Sequence, residues 1–473
     1  MTSRGGFAVL IGAGILCAAA SADAQADLAA AGDTGPVRPA ILFNRWQEDW
    51  SVLADPRTPR EPLDALKYLP LSVGDPKTYL SFGLNVRERF EGNDAPSFGV
   101  GGAHPEEYLI SRVEADADLR LADQVQLFGQ LQSDFAPGKS VLTPVDQDRL
   151  DLEQAFVAIT EPLAGGELKL RLGRQEIGFD LQRFVSVRDG PNVRQSYDAA
   201  WADYEHGPWR LIAFYSQPVQ DRDIKPFDDY SSRHLTYGGG RVERRLWKGA
   251  QIAVYISRFT QDGAKFLTVS GDERRDIVDV HASGSGGGFD WDVEGMNQTG
   301  HIDGERIRAW AIGSLAGYTL RVVPWTPRFG LQVDAASGDR SPHDLTLGTF
   351  NPLFPNGYYV TLAGYTGYVN FIHLKPSLTL HPVRRLKLML AAAGQWRETT
   401  ADAVYTQPDI PVAGTAGRPG AYTGTYGQVR ADWAVSEHYA AAIEAVHFAV
   451  SDVIRDAGGR DGNYLGVELR YGW

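Results

Sequence analysis

Six basic side chains fall between Leu168 and Arg194: Lys169, Arg171, Arg174, Arg183, Arg188 and Arg194, against the three acids Glu176, Asp180 and Asp189. The 473-residue chain as a whole carries a formal charge of −13. Guanidinium groups offer paired donors that match a carboxylate or a phosphate. Grouped around a pore, arginines and lysines favour anions. The other use of such a group is internal, with the arginines pairing to Glu176, Asp180, Asp189 and neighbouring acids to fix the segment. Two acidic runs have their own chemistry, Glu114, Asp116, Asp118 and Asp290, Asp292, Glu294. They could be read as glycosidase carboxylates or calcium ligands. Their period of two places each run on one face of a strand, and a solvated wall is the preferred reading. His373, His381, His438 and His447 are present, but no local signature ties them to a serine. The glycines at Gly238 to Gly240 and Gly284 to Gly288 precede no helix, so a phosphate cradle is not indicated. The expectation is a protein without catalytic residues, cofactor or metal.

The elements that must position these charges are strands. Leu168, Leu170 and Leu172 alternate with Lys169 and Arg171, and the same two-residue period recurs from Thr78 to Trp473. In Leu80 to Arg89, leucines, Phe82 and Val86 oppose Ser81, Asn85, Arg87 and Arg89. In Arg112 to Leu121, Val113, Ala115, Ala117 and Leu119 oppose Arg112, Glu114, Asp116, Asp118 and Arg120. Short connections near Ala122, Glu161 to Gly166, His206, Trp247, Gly284 to Gly288, Pro324 to Pro327, His381 to Arg384 and Ser436 alternate with longer ones. The long ones are Gly92 to Pro105, Ala136 to Asp148, Gly178 to Gln195, Gln217 to Arg233, Gln261 to Arg275, Ser341 to Tyr365, Glu398 to Thr423 and Ser451 to Gly462. Gly300 to Gly304 falls on the long-loop side but is short. The pattern predicts 18 antiparallel strands with both ends on the short-turn side, the arrangement of a transmembrane β-barrel with short periplasmic turns and long extracellular loops. Pro376 cannot donate a ladder hydrogen bond, so a bulge or a strand break is expected there. A soluble sandwich, propeller or β-helix is the competing architecture. The charge-dense polar faces, the alternating connection lengths and the terminal strand Tyr464 to Trp473, ending in an aromatic, weigh against it.

No apolar run long enough for a transmembrane helix occurs beyond the N-terminus. The acidic balance argues against a nucleic-acid partner. Arg4, the apolar stretch Phe7 to Ala20 and the Ala-x-Ala sites at Ala22 and Ala24 read as a secretory signal over residues 1–26. The single cysteine, Cys17, lies inside it, so the exported chain would have no thiol. Residues 27–77 read as a periplasmic leader, with Phe43 to Trp50 a candidate plug or lid, and residues 78–473 as the barrel.

A sheet in a bilayer must close, because each unpaired backbone group costs several kcal/mol. A barrel of roughly 16 to 18 strands leaves an aqueous channel. RLGRQEIGFDLQRFVSVRDGPNVRQSYD, Arg171 to Asp198, resembles the signature of the alginate-export family of outer-membrane proteins. So do Asn44 to Pro56, Ala65 to Leu71, Phe289 to Gly300, Ala336 to Asp339 and Asn351 to Tyr359, in the expected order. The resemblance implies an 18-stranded outer-membrane barrel that passes an anionic polysaccharide or oligosaccharide out of the cell. Its implied partners are outer-membrane lipid and lipopolysaccharide, the barrel assembly machinery, the anionic solute, and a periplasmic export scaffold. A solute path lined by Lys169, Arg171, Arg174, Arg183, Arg188, Arg194, Arg87 and Arg112 would suit that cargo. Arg174 shares the leucine parity, so it belongs at the external rim unless a bulge near Gly173 turns it inward. The proposed wall is mixed, with Arg89, Arg120, Lys387, Arg430 and Arg470 against the acids above and Asp151, Glu153, Asp334 and Glu468. Uptake of small organic acids or sugars is therefore the alternative.

Overall fold

The computed structural model describes residues 36–473 except 248 and 343; the expected signal segment lies outside the described residues. Eighteen strands follow in order. They are β1 (Tyr79–Asn93), β2 (Glu106–Leu121), β3 (Val125–Phe135), β4 (Asp148–Leu163), β5 (Gly166–Gln175) and β6 (Tyr197–His206). Next come β7 (Trp209–Pro218), β8 (Leu235–Trp247), β9 (Ala250–Lys265), β10 (Ser270–Gly286), β11 (Phe289–Ile302) and β12 (Glu305–Thr319). The last six are β13 (Arg328–Ala336), β14 (Phe371–Val383), β15 (Leu386–Trp396), β16 (Tyr422–Ala434), β17 (Tyr439–Val450) and β18 (Gly462–Gly472). Each pairs antiparallel with the next, and β18 returns to β1 from Asn85↔Gly472 to Asn93↔Tyr464. Leu84 and Trp473 then exchange two backbone hydrogen bonds of 2.8 Å, so the terminal aromatic completes the seam.

The period of two sets the two faces. In β13, Phe329, Leu331 and Val333 point outward while Gln332 and Asp334 are buried inside. β3 and β10 follow the same rule, with Leu127, Leu131, Val278 and Val280 outside and Gln130, Gln132, Asp279 and His281 within. In water such an outer face would be a liability; in a bilayer it is the stable solution. The largest buried apolar cluster lies within the lumen. It joins Phe179, Phe184 and Val185 of one loop to Phe350, Leu353, Phe354 and Tyr368 of another.

Two expectations fail. Gln261 to Arg275 is not a long loop: β9 and β10 stay paired to Lys265↔Ser270, past an irregularity between Gln261 and Ala264. Polar residues there extend a hairpin beyond the barrel rim rather than ending it. Pro376 produces neither a break nor a bulge. β14 runs through it and holds the β13 register at Leu331↔Pro376, while the β15 ladder skips Lys375 and Pro376 without slipping. The missing donor costs a local pairing and leaves the register intact.

Candidate functional site

Loop L3, residues 176–196 between β5 and β6, crosses the lumen instead of standing above the rim. Asp180 accepts hydrogen bonds from Arg241 of β8 at 2.6 and 2.8 Å and lies 2.9 Å from His281 of β10. Arg183 donates to Asp292 at 2.7 Å and to Glu294 at 3.0 Å, both on β11. Toward the opposite wall, Asp189 accepts from Arg112 of β2 at 2.7 Å and from Arg470 of β18 at 2.8 Å. Arg87 of β1 donates to the carbonyls of Asp189 and Pro191 at 2.5 and 2.7 Å. Arg194 pairs with Glu114 at 3.0 Å and Glu176 at 2.6 Å. Asp180, Gln182 and Arg188 adopt left-handed backbone angles, with φ of 53°, 57° and 51°, which lets the loop double back within a few residues. Burial would raise the Asp189 carboxyl, but the charges of Arg470, Arg112 and Arg87 outweigh it and hold the group well below the usual carboxylate range.

Loop L7, residues 337–370 between β13 and β14, folds in against L3. Phe354 N–H donates to the Phe184 carbonyl at 2.9 Å, and Val185 and Phe354 form a parallel bridge. The Tyr359 hydroxyl accepts from Arg183 at 2.6 Å and donates to Asp334 at 2.9 Å. His373 links Asp334, at 3.1 Å, to the Tyr426 hydroxyl, at 2.8 Å. Where the two loops cross, a Cβ on Gly190 would come within 3.0 Å of the Gly357 backbone. Neither L7 nor the Asp180–Arg241–His281 group was singled out by charge or periodicity. The available signal was composition: an external loop with Phe350, Leu353, Phe354, Tyr359 and Val360 has apolar area to bury.

The eight expected path residues separate clearly. Arg87, Arg112, Arg183, Arg188 and Arg194 come together at L3. Arg171 faces inward one layer lower, hydrogen-bonded to Gln175, its guanidinium carbon 4.5 Å from the Trp46 ring centroid and 5.1 Å from Phe156. Lys169 is exposed near the short-turn end, 3.1 Å from Glu167, away from the L3 charges. Arg174 is not on the lumen wall. β5 keeps its register on both sides of Gly173, so Arg174 retains the leucine parity at the external rim, 3.0 Å from Asp198 and 3.6 Å from Asp151.

The N-terminal segment fills the periplasmic mouth. Arg45 pairs with Glu48 at 3.0 Å and Asp116 at 3.5 Å and donates to the terminal Trp473 carbonyl. The Trp46 carbonyl accepts from Arg120 at 2.6 Å and Gln126 at 2.9 Å. Phe43 reaches L3, its ring centroid 4.3 Å from the Arg194 guanidinium carbon. Beneath the barrel, burial lowers the Lys67 ammonium to about 8.

On the external side of L3 lies a cavity of about 260 Å³, bounded by L3, L7, residues 139–146, Gln407–Pro408 and the β1, β2 and β18 wall. Its charged lining is Arg89, Lys139, Arg183 and Arg188 against Glu91 and Asp146. Lys139 is 2.6 Å from Asp146, and Arg89 is paired with Glu91 and Glu468. Arg188 has no carboxylate within ion-pair distance among the described residues. Its guanidinium lies over Phe354 at 5.5 Å and donates to the Leu353 carbonyl at 3.4 Å.

Residues 78–468 match the protein family described as Alginate export. The chain belongs to that family. Among curated proteins no match is found. Solved outer-membrane proteins share the fold. Acinetobacter baumannii OccAB1 is 10% identical, with a TM-score of 0.57 over 83% of this chain and 96% of that one. Pseudomonas aeruginosa OpdK with vanillate is 10% identical, with a TM-score of 0.54 over 83% and 98%. Pseudomonas aeruginosa OccK2 in complex with glucuronate is 12% identical, with a TM-score of 0.52 over 83% and 96%. Family and fold are those of outer-membrane channels, and the protein is an outer-membrane channel.

Proposed function

We propose that the channel passes carboxylate-bearing saccharides, an anionic oligosaccharide or polysaccharide. The observation that carries this reading is the cavity beside L3, where Arg89, Lys139 and Arg183 are ion-paired and Arg188 alone of the lining cations has no ion-pair partner among the described residues. An anion entering from outside meets that charge before it meets the L3 anchors. Guanidinium groups give it paired donors in a partly desolvated site. The two other L3 arginines, Arg183 and Arg194, serve as anchors, and the charges they carry are balanced locally.

A second reading is favoured by size. At about 260 Å³ the cavity falls just below the size of typical small-molecule pockets, roughly 300–1,000 Å³. L7 and the N-terminal segment also occupy lumen that a polymer would need. Uptake of small organic acids or sugars fits that geometry. OpdK with vanillate and OccK2 with glucuronate are porins of this fold crystallised with small carboxylates.

Planar-bilayer recording with a graded series tests both. The saccharide reading expects anion preference and current block by glucuronate and by uronate oligomers, with none by glucose. Block that strengthens with chain length supports polymer passage. Block that vanishes beyond the monomer supports the small-solute porin. Cation preference, or block by neutral and acidic sugars alike, would overturn the anionic assignment.

A further inference from the structure

The outer face of the barrel carries a second arginine group that the channel reading leaves unused. By register, two adjacent rows cross β9 to β12. One runs Arg258, Asp276, Thr299, Arg308; the next, toward the external end, runs Thr260, Arg274, His301, Arg306. Arg258, Arg274, His301, Arg306 and Arg308 are all exposed. Asp276 is the single acid in the two rows, 2.6 Å from Arg258 and 3.8 Å from Arg274. Arg306 and Arg308 have no ion pair among the described residues.

Their height relative to the membrane follows from the rows beneath. Ile256, Val278, Asn297 and Trp310 lie directly below, then Val254, Val280, Gly295 and Ile312; apart from Asn297 and Gly295 on β11 these are exposed apolar side chains on the lipid-facing parity. On β12 the outward aromatics Trp310 and Tyr318 bracket this band. At ~3.3 Å per residue they are about 26 Å apart along the strand, or about 20 Å along the membrane normal at a strand tilt of ~40°, within the ~25 Å apolar belt with its aromatic girdles. β12 runs from the external link at 303–304 to the periplasmic turn at 320–327. Arg306 and Arg308 therefore stand just above the external girdle at the height of outer-leaflet headgroups, and the rows, perpendicular to tilted strands, descend from there toward Arg258.

Exposed salt bridges hold little free energy, so pairing with Asp276 does not explain four arginines at one edge of the lipid-facing wall. We infer that this patch binds the phosphate groups of lipid A, the phosphorylated glycolipid of the outer leaflet. The charge is complementary and guanidinium forks match phosphate oxygens. Arg258 and Arg308 are three strand spacings apart, ~14 Å at ~4.8 Å each, a span that lets one disaccharide headgroup place a phosphate near each side of the patch. Trp310, Ile256 and Val278 lie where the acyl chains begin.

The test uses the purified full-length barrel in detergent, titrated with bisphosphorylated lipid A, dephosphorylated lipid A and phosphatidylglycerol, with retention read by native mass spectrometry. The wild type should hold the bisphosphorylated form about tenfold more tightly than the dephosphorylated one. Arg274→Ala/Arg306→Ala/Arg308→Ala should erase that difference and leave single-channel conductance unchanged. Equal retention of the two glycolipids by the wild type, a preference that survives in the variant, or tighter binding of phosphatidylglycerol than of lipid A would each overturn the assignment. The wild-type comparison needs no mutant, and Arg306→Gln/Arg308→Gln serves if the triple variant does not fold.

Discussion

L3 is held by two walls of opposite construction. On the β8–β11 side the charges alternate from partner to partner: Asp180 lies between Arg241 and His281, Arg183 between Asp292 and Glu294, and His281 meets Asp292 at 2.8 Å. On the β1–β2–β18 side one loop carboxylate, Asp189, faces Arg87, Arg112 and Arg470; loop carbonyls and the Asn192 side chain supply further acceptors, and two wall carboxylates, Asp134 at 3.6 Å from Arg112 and Glu468 at 2.6 Å from Arg470, complete the set. The first wall is a network in which a lost member leaves others to share its load. The second is centred on one loop side chain, Asp189, with Asp134 and Glu468 of the wall taking part of the charge. Carbonyls accept from arginine without cancelling its charge, while Arg89, the arginine of this wall that lines the cavity, is paired with Glu91 and Glu468.

The largest expected effect breaks the second wall. Asp189→Asn should leave the buried Arg87 and Arg112 and the half-buried Arg470 facing no loop carboxylate, with only Asp134 and Glu468 of the wall left to them, a loss of about 3–5 kcal/mol in L3 anchoring. Limited proteolysis should cut within L3, and single-channel records should become noisier with a larger mean conductance. Arg183→Met should cost less, about 1–3 kcal/mol, because His281 remains against Asp292 and only Glu294 loses its ion pair; protease protection of L3 should fall only in part. If the walls act independently, the double variant should be additive to within about 0.5 kcal/mol, whereas a large coupling would mean that L3 is released as a unit.

A pH series sharpens the contrast. Burial, and repulsion from Glu114, push the Glu176 carboxyl to about 7 despite the opposing charge of Arg194. Glu153, Arg112 and Asp189 also face this group. A raised carboxyl pKa stabilises the folded loop below its ordinary value, and that contribution is lost as pH rises through about 7. Asp189 is shifted the opposite way, so its contribution is lost only at strongly acid pH. L3 should therefore become more protease-resistant from pH 7.5 down to about 5, and Glu176→Gln should flatten that change.

The barrel was legible because a period of two is imposed locally, residue by residue, as in Phe329, Leu331 and Val333 against Gln332 and Asp334. The hairpin beyond Gln261 was missed because polar alternation above the membrane looks like loop composition. The L3 charge run was legible, but its direction was not: whether Arg183 and Arg194 face a solute or a carboxylate depends on Asp292, Glu294 and Glu114, far away in sequence. Arg174 lies where parity alone places it, and Lys169 shows the limit of parity. Parity assigns a face, while height along the strand decides whether a side chain reaches the constriction. L7 was hidden for a related reason, since Tyr359 and Phe354 bury against L3 only once the barrel has closed around both.

The measurement that bears most directly on the account is the reversal potential of Arg188→Glu against wild type across a salt gradient, with Arg183→Met as the anchored-arginine control. The account predicts anion preference in the wild type, a several-fold loss or reversal in Arg188→Glu with L3 still protease-resistant, and a preserved preference in Arg183→Met. Unchanged selectivity in Arg188→Glu would contradict it and return the Leu168 to Arg194 charge run to a purely structural role.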